Sequence, residues 1–220
     1  MNTWKILPEN LSVAKFIDCY WLLEKVEGDI GPDHPKLNPD PAAHLILSEM
    51  QQPYQYAQTR MTVCGQGSHL ILPHCQTLSM NHTDPFVVIG IKFHVGALYS
   101  LNLTTPPVLL DEIIEGNLIK RFQLEAFNGA DRLNQYINQP ELCRNYLDDL
   151  LDSYVSGIHL DKHSKLVCDI LALVPDVTLS TIGAELGCSQ RTIERSFSRV
   201  TGYGFHIKTI LFYGETGSDA

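Results

Sequence analysis

Two short helical periods meet at a tight turn between Leu179 and Val200, and that junction constrains the chain more than any other stretch. Ser180 can cap a first helix holding Leu179, Ile182 and Leu186, and Gly187 ends it where a left-handed backbone angle costs little. Cys188 is small enough to tuck beneath the turn, and Ser189 offers its hydroxyl as N-cap of a second helix, with Thr192 three positions on. At roughly 100° per residue, Ile193, Phe197 and Val200 share one side of this second helix, and Gln190, Arg191, Glu194, Arg195 and Ser198 share another. Gly183 and Ala184 leave room for helix to close on helix. The spacing predicts a helix-turn-helix with Gln190 to Val200 as its second helix.

The polar face of that helix points to a use. Arg191, Arg195 and Arg199 lie at successive i, i+4 steps, where like charges cost an isolated helix about 0.2–0.5 kcal/mol per pair. Duplex DNA would compensate, because each neutralised phosphate releases counterions and a guanidinium can bond a guanine edge in bidentate fashion. The formal charge of −9 excludes a protein that coats nucleic acid indiscriminately. Yet residues 189–208 carry Arg191, Arg195, Arg199 and Lys208 against Glu194 alone. An ordinary helical hairpin with solvated arginines is the plainer alternative.

The run Leu179-Ser180-x-Ile182-x-Ala184-x-Leu186-Gly187-x-Ser189-x-Arg191-Thr192-Ile193-x-Arg195-x-Phe197, followed by Thr201-Gly202, resembles the first helix-turn-helix of the AraC/XylS family of transcriptional regulators. The resemblance spans about 164–202. Residues 40–47 and 90–97 are similar, more weakly, to strand and strand-to-helix segments of a β-rich N-terminal domain found in part of that family. It implies a cytoplasmic regulator with an N-terminal domain for ligand sensing or dimerisation, and two helix-turn-helix units joined by a long helix. Double-stranded DNA, a small-molecule effector and a second copy of the chain are the partners it suggests. Helix geometry and the family's docking mode assign Arg191, Glu194 and Arg195 to base edges, and Ser189, Gln190, Thr192 and Arg199 to phosphates.

One departure stands out. Where the family continues with an Arg-rich linker helix and a second motif, this sequence runs from Tyr203 through Leu211-Phe212-Tyr213 to a Gly-Glu-Thr-Gly-Ser-Asp tail. The expectation is a truncated regulator with one reading unit per chain, weak or non-specific as a monomer and partly rescued by dimerisation. Two alternatives remain open: a truncated regulator that keeps only sensing and dimerisation, and a small-molecule-binding β-barrel protein.

Upstream the pattern is α+β. Short β-rich runs at Phe16 to Glu24, Ala43 to Ser48, Arg60 to Cys64, His69 to Leu72 and Phe86 to His94 predict a small antiparallel sheet or barrel. Helical periodicity follows, first at Ala97 to Leu101, then through Leu133 to Ile137 and Leu142 to Leu151. A break at 156–161 precedes a fresh helical cluster from Leu166 to Leu173, so a boundary is expected near 157: residues 1–156 as the β-rich sensing or dimerisation domain, 157–220 as a partial DNA-binding domain.

Tyr20, Trp21, Phe93 and His94 are candidates for an effector pocket inside the barrel, or else simply fill its core. Cys64, His69, His74, Cys75, His82 and His94 gather metal-capable atoms at no standard zinc spacing, so neither metal nor cofactor is expected. The six cysteines form no Cys-x-x-Cys pair, which fits a reducing compartment. No apolar run approaches the roughly 20 residues of a membrane span. Enzymatic signatures are missing too; Asp148, Asp149 and Asp152 are explained by a solvated face or a dimer rim.

Overall fold

In the computed structural model, residues 1–59, 61–104, 108–115, 117–173 and 179–203 are described, with only the backbone of 117, 179 and 180. Ten strands come first: β1 (Asn2–Ile6), β2 (Ile17–Lys25), β3 (Lys36–Leu37), β4 (His44–Ser48), β5 (Pro53–Ala57), β6 (Thr62–Gln66), β7 (His69–Ile71), β8 (Leu78–Met80), β9 (Phe86–Phe93) and, after helix α1 (Ala97–Ser100), β10 (Ile113–Glu115). Helices α2 (Asn117–Arg121), α3 (Ala130–Gln135), α4 (Pro140–Val155), α5 (Lys162–Leu173), α6 (Leu179–Glu185) and α7 (Gln190–Thr201) complete the order.

The strands build two antiparallel sheets. One is six-stranded, ordered β1-β2-β9-β4-β7-β10; the other is four-stranded, ordered β3-β8-β5-β6. The long pair β2–β9 centres the larger sheet, with Tyr20 opposite Ile91 and Trp21 opposite Gly90. Alternation decides what each face meets. Tyr20, Leu22, Ile89, Ile91 and Phe93 enter the main core, which Cys143, Leu147, Leu151 and Val155 of α4 close from the helical side. Trp21 and Ile46 point the other way, toward the smaller sheet, where a separate cluster of Ile46, Tyr56, Ile71 and Leu78 forms.

Asp148 of α4 ties the N-terminal segment to this core. Its carboxylate is 5 % exposed and accepts the Tyr20 hydroxyl at 2.7 Å and the Glu9 and Asn10 amides at 2.9 Å each. Burial, with this hydrogen bond second, pushes the Tyr20 hydroxyl's pKa well above its usual range. Three donors satisfy the buried carboxylate, which enters no salt bridge among the described residues.

A second core gathers Val167, Ile170, Ile182, Ile193, Phe197, Val200 and Tyr203, with Val95, Tyr99 and Leu110 packed against it from the β-rich part. The fold is thus α+β, a β-rich N-terminal region followed by helices.

Several local expectations shift. The strand expected from Arg60 begins at Thr62, and residue 60 lies outside the described residues. Helix α6 already includes Leu179, which puts Ser180 inside the helix instead of at its cap; its side chain lies outside the description. Ala184 is exposed, so Gly183 alone answers the call for a small residue. Residues 204–220, which hold the expected truncated tail, also lie outside the described residues.

Candidate functional site

The junction of α6 and α7 is built by local chemistry. Gly187 takes φ +61°, and the Cys188 amide donates to the Gly183 carbonyl at 3.0 Å. A Cβ on Gly183 would sit 3.0 Å from the Cys188 carbonyl oxygen, a tight contact that favours glycine at this point of the turn. Ser189, in extended conformation, accepts the Thr192 amide at 3.2 Å and caps α7. Ile193, Phe197 and Val200 are buried in the second core, and α5 packs along α7 to form a three-helix unit. His163 of α5 lies 2.9 Å from the buried hydroxyl of Ser196 on α7.

The opposite face of α7 is open. Gln190, Arg191, Glu194, Arg195 and Ser198 are all exposed. Gln190 donates to the Glu194 carboxylate at 2.8 Å, which orients both. Among the described residues, Arg191 and Arg195 enter no ion pair. The remaining candidates are engaged. The Ser189 and Thr192 hydroxyls lie 2.9 Å apart within the cap. Arg199 donates through Nε to the Tyr99 hydroxyl at 2.7 Å, with its guanidinium 5.7 Å from that ring's centroid.

Arg199 belongs to a dock that sequence inspection missed. Gly96, at φ +81°, sits under Val200 so closely that a Cβ would overlap the valine methyl. The Ser164 hydroxyl donates to the Gly96 carbonyl at 3.0 Å and the Cys168 thiol to the Val95 carbonyl at 3.6 Å. The Tyr203 hydroxyl donates to the Asp40 carbonyl at 3.4 Å. The helix-turn-helix unit is seated on the segment that joins β9 to α1.

Between the two sheets lies a cavity of about 1060 Å³. Trp21, Phe93 and His94 border it, and Leu171 of α5 reaches its wall. Tyr20 does not border it, because its position on β2 turns the side chain into the opposite core, against Asp148. Phe93 borders it only in part, since its ring packs in that same core, 6.4 Å from Phe122. His94 donates through Nε2 to the Ala14 carbonyl at 3.2 Å.

Polar groups missed in the sequence furnish the cavity. Asp40 accepts His44 Nε2 at 3.0 Å and Lys92 Nζ at 2.8 Å on one carboxylate oxygen, and the Ala42 amide on the other. Burial works to raise the Asp40 pKa, but the His44 hydrogen bond and the charges of His44 and Lys92 outweigh it and the net shift is downward. His69 donates through Nδ1 to the Gly67 carbonyl at 2.9 Å, which leaves Nε2 to accept the Tyr56 hydroxyl at 2.7 Å. Burial pushes the His69 pKa down to about 4. Neither the Trp21 ring opposite Gly90 nor a carboxylate shared by His44 and Lys92 has a local signature; both depend on strand register.

No group of three or more His, Cys, Asp or Glu among the described residues is placed to hold a metal. Cys64 and His69 border the cavity, while Cys75 pairs with Asp111 outside it. Within the described residues no helix is long and apolar enough to cross a membrane.

Two facing antiparallel sheets with a cavity between them, and a helix-turn-helix docked beside it, define an α+β architecture. The chain belongs to the family described as a domain of unknown function (DUF6597), whose match spans residues 5–115, the ten-strand region. No curated protein matches the sequence. Among solved structures, the AraC-like transcriptional activator CuxR is similar at 14 % identity over 99 % of this chain and 87 % of that one, with a TM-score of 0.34. ToxT from Vibrio cholerae, bound to an unsaturated fatty acid, is similar at 12 % identity over 100 % of this chain and 82 % of that one, with a TM-score of 0.41.

Proposed function

We propose that this chain is a DNA-binding transcriptional regulator of AraC type, in which α7 enters the major groove and the cavity between the sheets holds a small-molecule effector. The observation that carries the reading is the α7 face itself. Arg191 and Arg195 stand one turn apart, exposed, on a helix whose other side is locked into a core by Ile193, Phe197 and Val200. A rigid helix presenting two guanidinium groups beside Glu194 has the donors for guanine edges and an acceptor for a cytosine amine. Gln190 and the α7 N-terminus, capped by Ser189, suit phosphate contacts.

The division near 157 belongs to this proposal, with α5 to α7 as the reading unit and the β-rich part with α1 to α4 as the sensing unit. One such unit buries about 600–1,000 Å² against DNA, so a homodimer holding two units would give the grip that one lacks.

Selection of bound duplexes from a random-sequence library by the full chain tests the reading. The expected outcome is enrichment of a short motif containing guanine, in one or two half-sites. Absence of enrichment, with affinity flat across salt concentration, would reject it.

A further inference from the structure

The seam between α5 and α7 holds a polar pair that core packing does not explain, and its use rests on the DNA-binding reading above. The Ser196 hydroxyl is fully buried on the side of α7 that meets α5, among the apolar Ile193, Phe197 and Val200. His163 Nδ1 is its partner there, 2.9 Å away. The ring of His163 is half-buried, and Nε2, with no hydrogen-bond partner among the described residues, is not sealed from solvent.

Helical geometry puts this ring at the border of the polar face. At roughly 100° per residue, Ser196 stands about 100° round from Arg195 and about 60° from Arg199, whereas Arg191 and Ser198 lie nearer the middle of that face. A helix in the major groove turns its middle to the base edges and its flanks to the sugar-phosphate walls. A donor at this border is therefore placed for a phosphate and not for a base.

Charge around the ring supports the same assignment. Among the described residues, Asp161 and Lys162 face it at the start of α5, and the Asp161 carboxylate accepts the His163 amide at 2.8 Å. Arg195 and Arg199 face it from α7, and α1 adds the uncharged Tyr99 and Ser100, bonded to Arg199 and to the Asp161 amide. Partial burial and the three cations hold the His163 pKa below its ordinary value, against the pull of Asp161. A fourth positive charge is thus disfavoured in the free chain. A phosphate set among these cations reverses the balance, since it offsets their charge and pairs with an imidazolium. Ser196 serves both states, because its hydroxyl can donate to a neutral Nδ1 and accept from a protonated one. In either state Nε2 carries a hydrogen and can donate to a phosphate oxygen.

We propose that His163 is a phosphate contact of the DNA face and takes up a proton when the duplex binds. Linkage fixes the sign. Affinity is highest where the free chain already holds the proton, falls as pH rises between the free and the DNA-bound pKa of the ring, and is level above that window.

Fluorescence anisotropy of the full chain at fixed ionic strength, on the selected duplex and on a random-sequence duplex of equal length, tests the contact. Both duplexes should bind about threefold or more tightly at about pH 6 than at about pH 8, because a phosphate contact carries no sequence preference. His163→Gln should abolish that rise and, at the acid end, lower the slope of log affinity against log salt by about one contact. His163→Arg, with a permanent charge, should hold the acid-end slope of the wild type at both pH values. Affinity that is flat with pH overturns the proposal, as does a rise that His163→Gln retains, or one confined to the selected duplex. Loss of the salt slope in His163→Arg as well would show that the imidazole only packs, and also overturns it. Absence of binding to either duplex at any pH rejects the regulator reading, and this contact with it.

Discussion

Two buried polar residues set testable limits on the β-rich half. His69 is 2 % exposed and is held neutral as the Nδ1-protonated tautomer, its pKa pushed down to about 4 chiefly by burial. In the unfolded chain a histidine titrates near 6.5, so below that value the unfolded state binds a proton that the folded state refuses. The contribution is therefore complete above about 6.5 and is lost as pH falls toward 4, to the order of 3 kcal/mol. Thermal melts across that window should show a falling Tm, with a shallower slope in His69→Gln; equal slopes would contradict the assignment. Asp148→Ala leaves the Tyr20 hydroxyl and two amides without their acceptor. Urea denaturation should show a loss of roughly 3 kcal/mol, and a loss below about 1 kcal/mol would mean that water replaces the carboxylate.

Among elements, α7 was legible in the sequence because everything that specifies it is local: the Ser189 cap, the Gly187 turn and a 3.6-residue apolar period. Strands β2, β4, β7 and β9 were legible for the same reason, as apolar runs bounded by turn residues. Strand β5 was not, because Pro53, Gln55 and their neighbours hide the alternation of Tyr54 and Tyr56, whose burial depends on the facing His69. Strands β3, β8 and β10 are two or three residues long and exist through their partners. Within the candidate site the exposed polar face of α7 was visible, whereas Asp40, His44 and Lys92 meet only through strand register and a loop. The Tyr20 assignment failed on the same point: adjacent residues on a strand face opposite sides. At the scale of the element, Ser189→Ala should destabilise the helix-turn-helix by about 1 kcal/mol, seen as faster amide exchange at the α7 N-terminus. Unchanged exchange there would argue against the cap.

For the whole molecule, the decisive feature is that the helix-turn-helix and the larger sheet share a seam. Residues Lys92 and Val95 border the cavity, and the next residue, Gly96, carries Val200 of α7. Asp40 faces the cavity with its carboxylate and holds Tyr203 with its carbonyl. Tyr99→Phe deletes the hydroxyl that holds Arg199, freeing that guanidinium for a phosphate. If Arg199 then meets DNA, the slope of log affinity against log salt should steepen by about one contact; an unchanged slope would show that Arg199 stays off the duplex.

Fluorescence anisotropy of the full chain on its selected duplex, compared with Arg191→Ala and Arg195→Ala across a salt series, bears most directly on the α7 face. A base-reading arginine predicts a loss of about 1–3 kcal/mol and relaxed preference at one position, with little change in salt slope. Equal affinity of all three proteins for that duplex at every salt concentration would contradict the account.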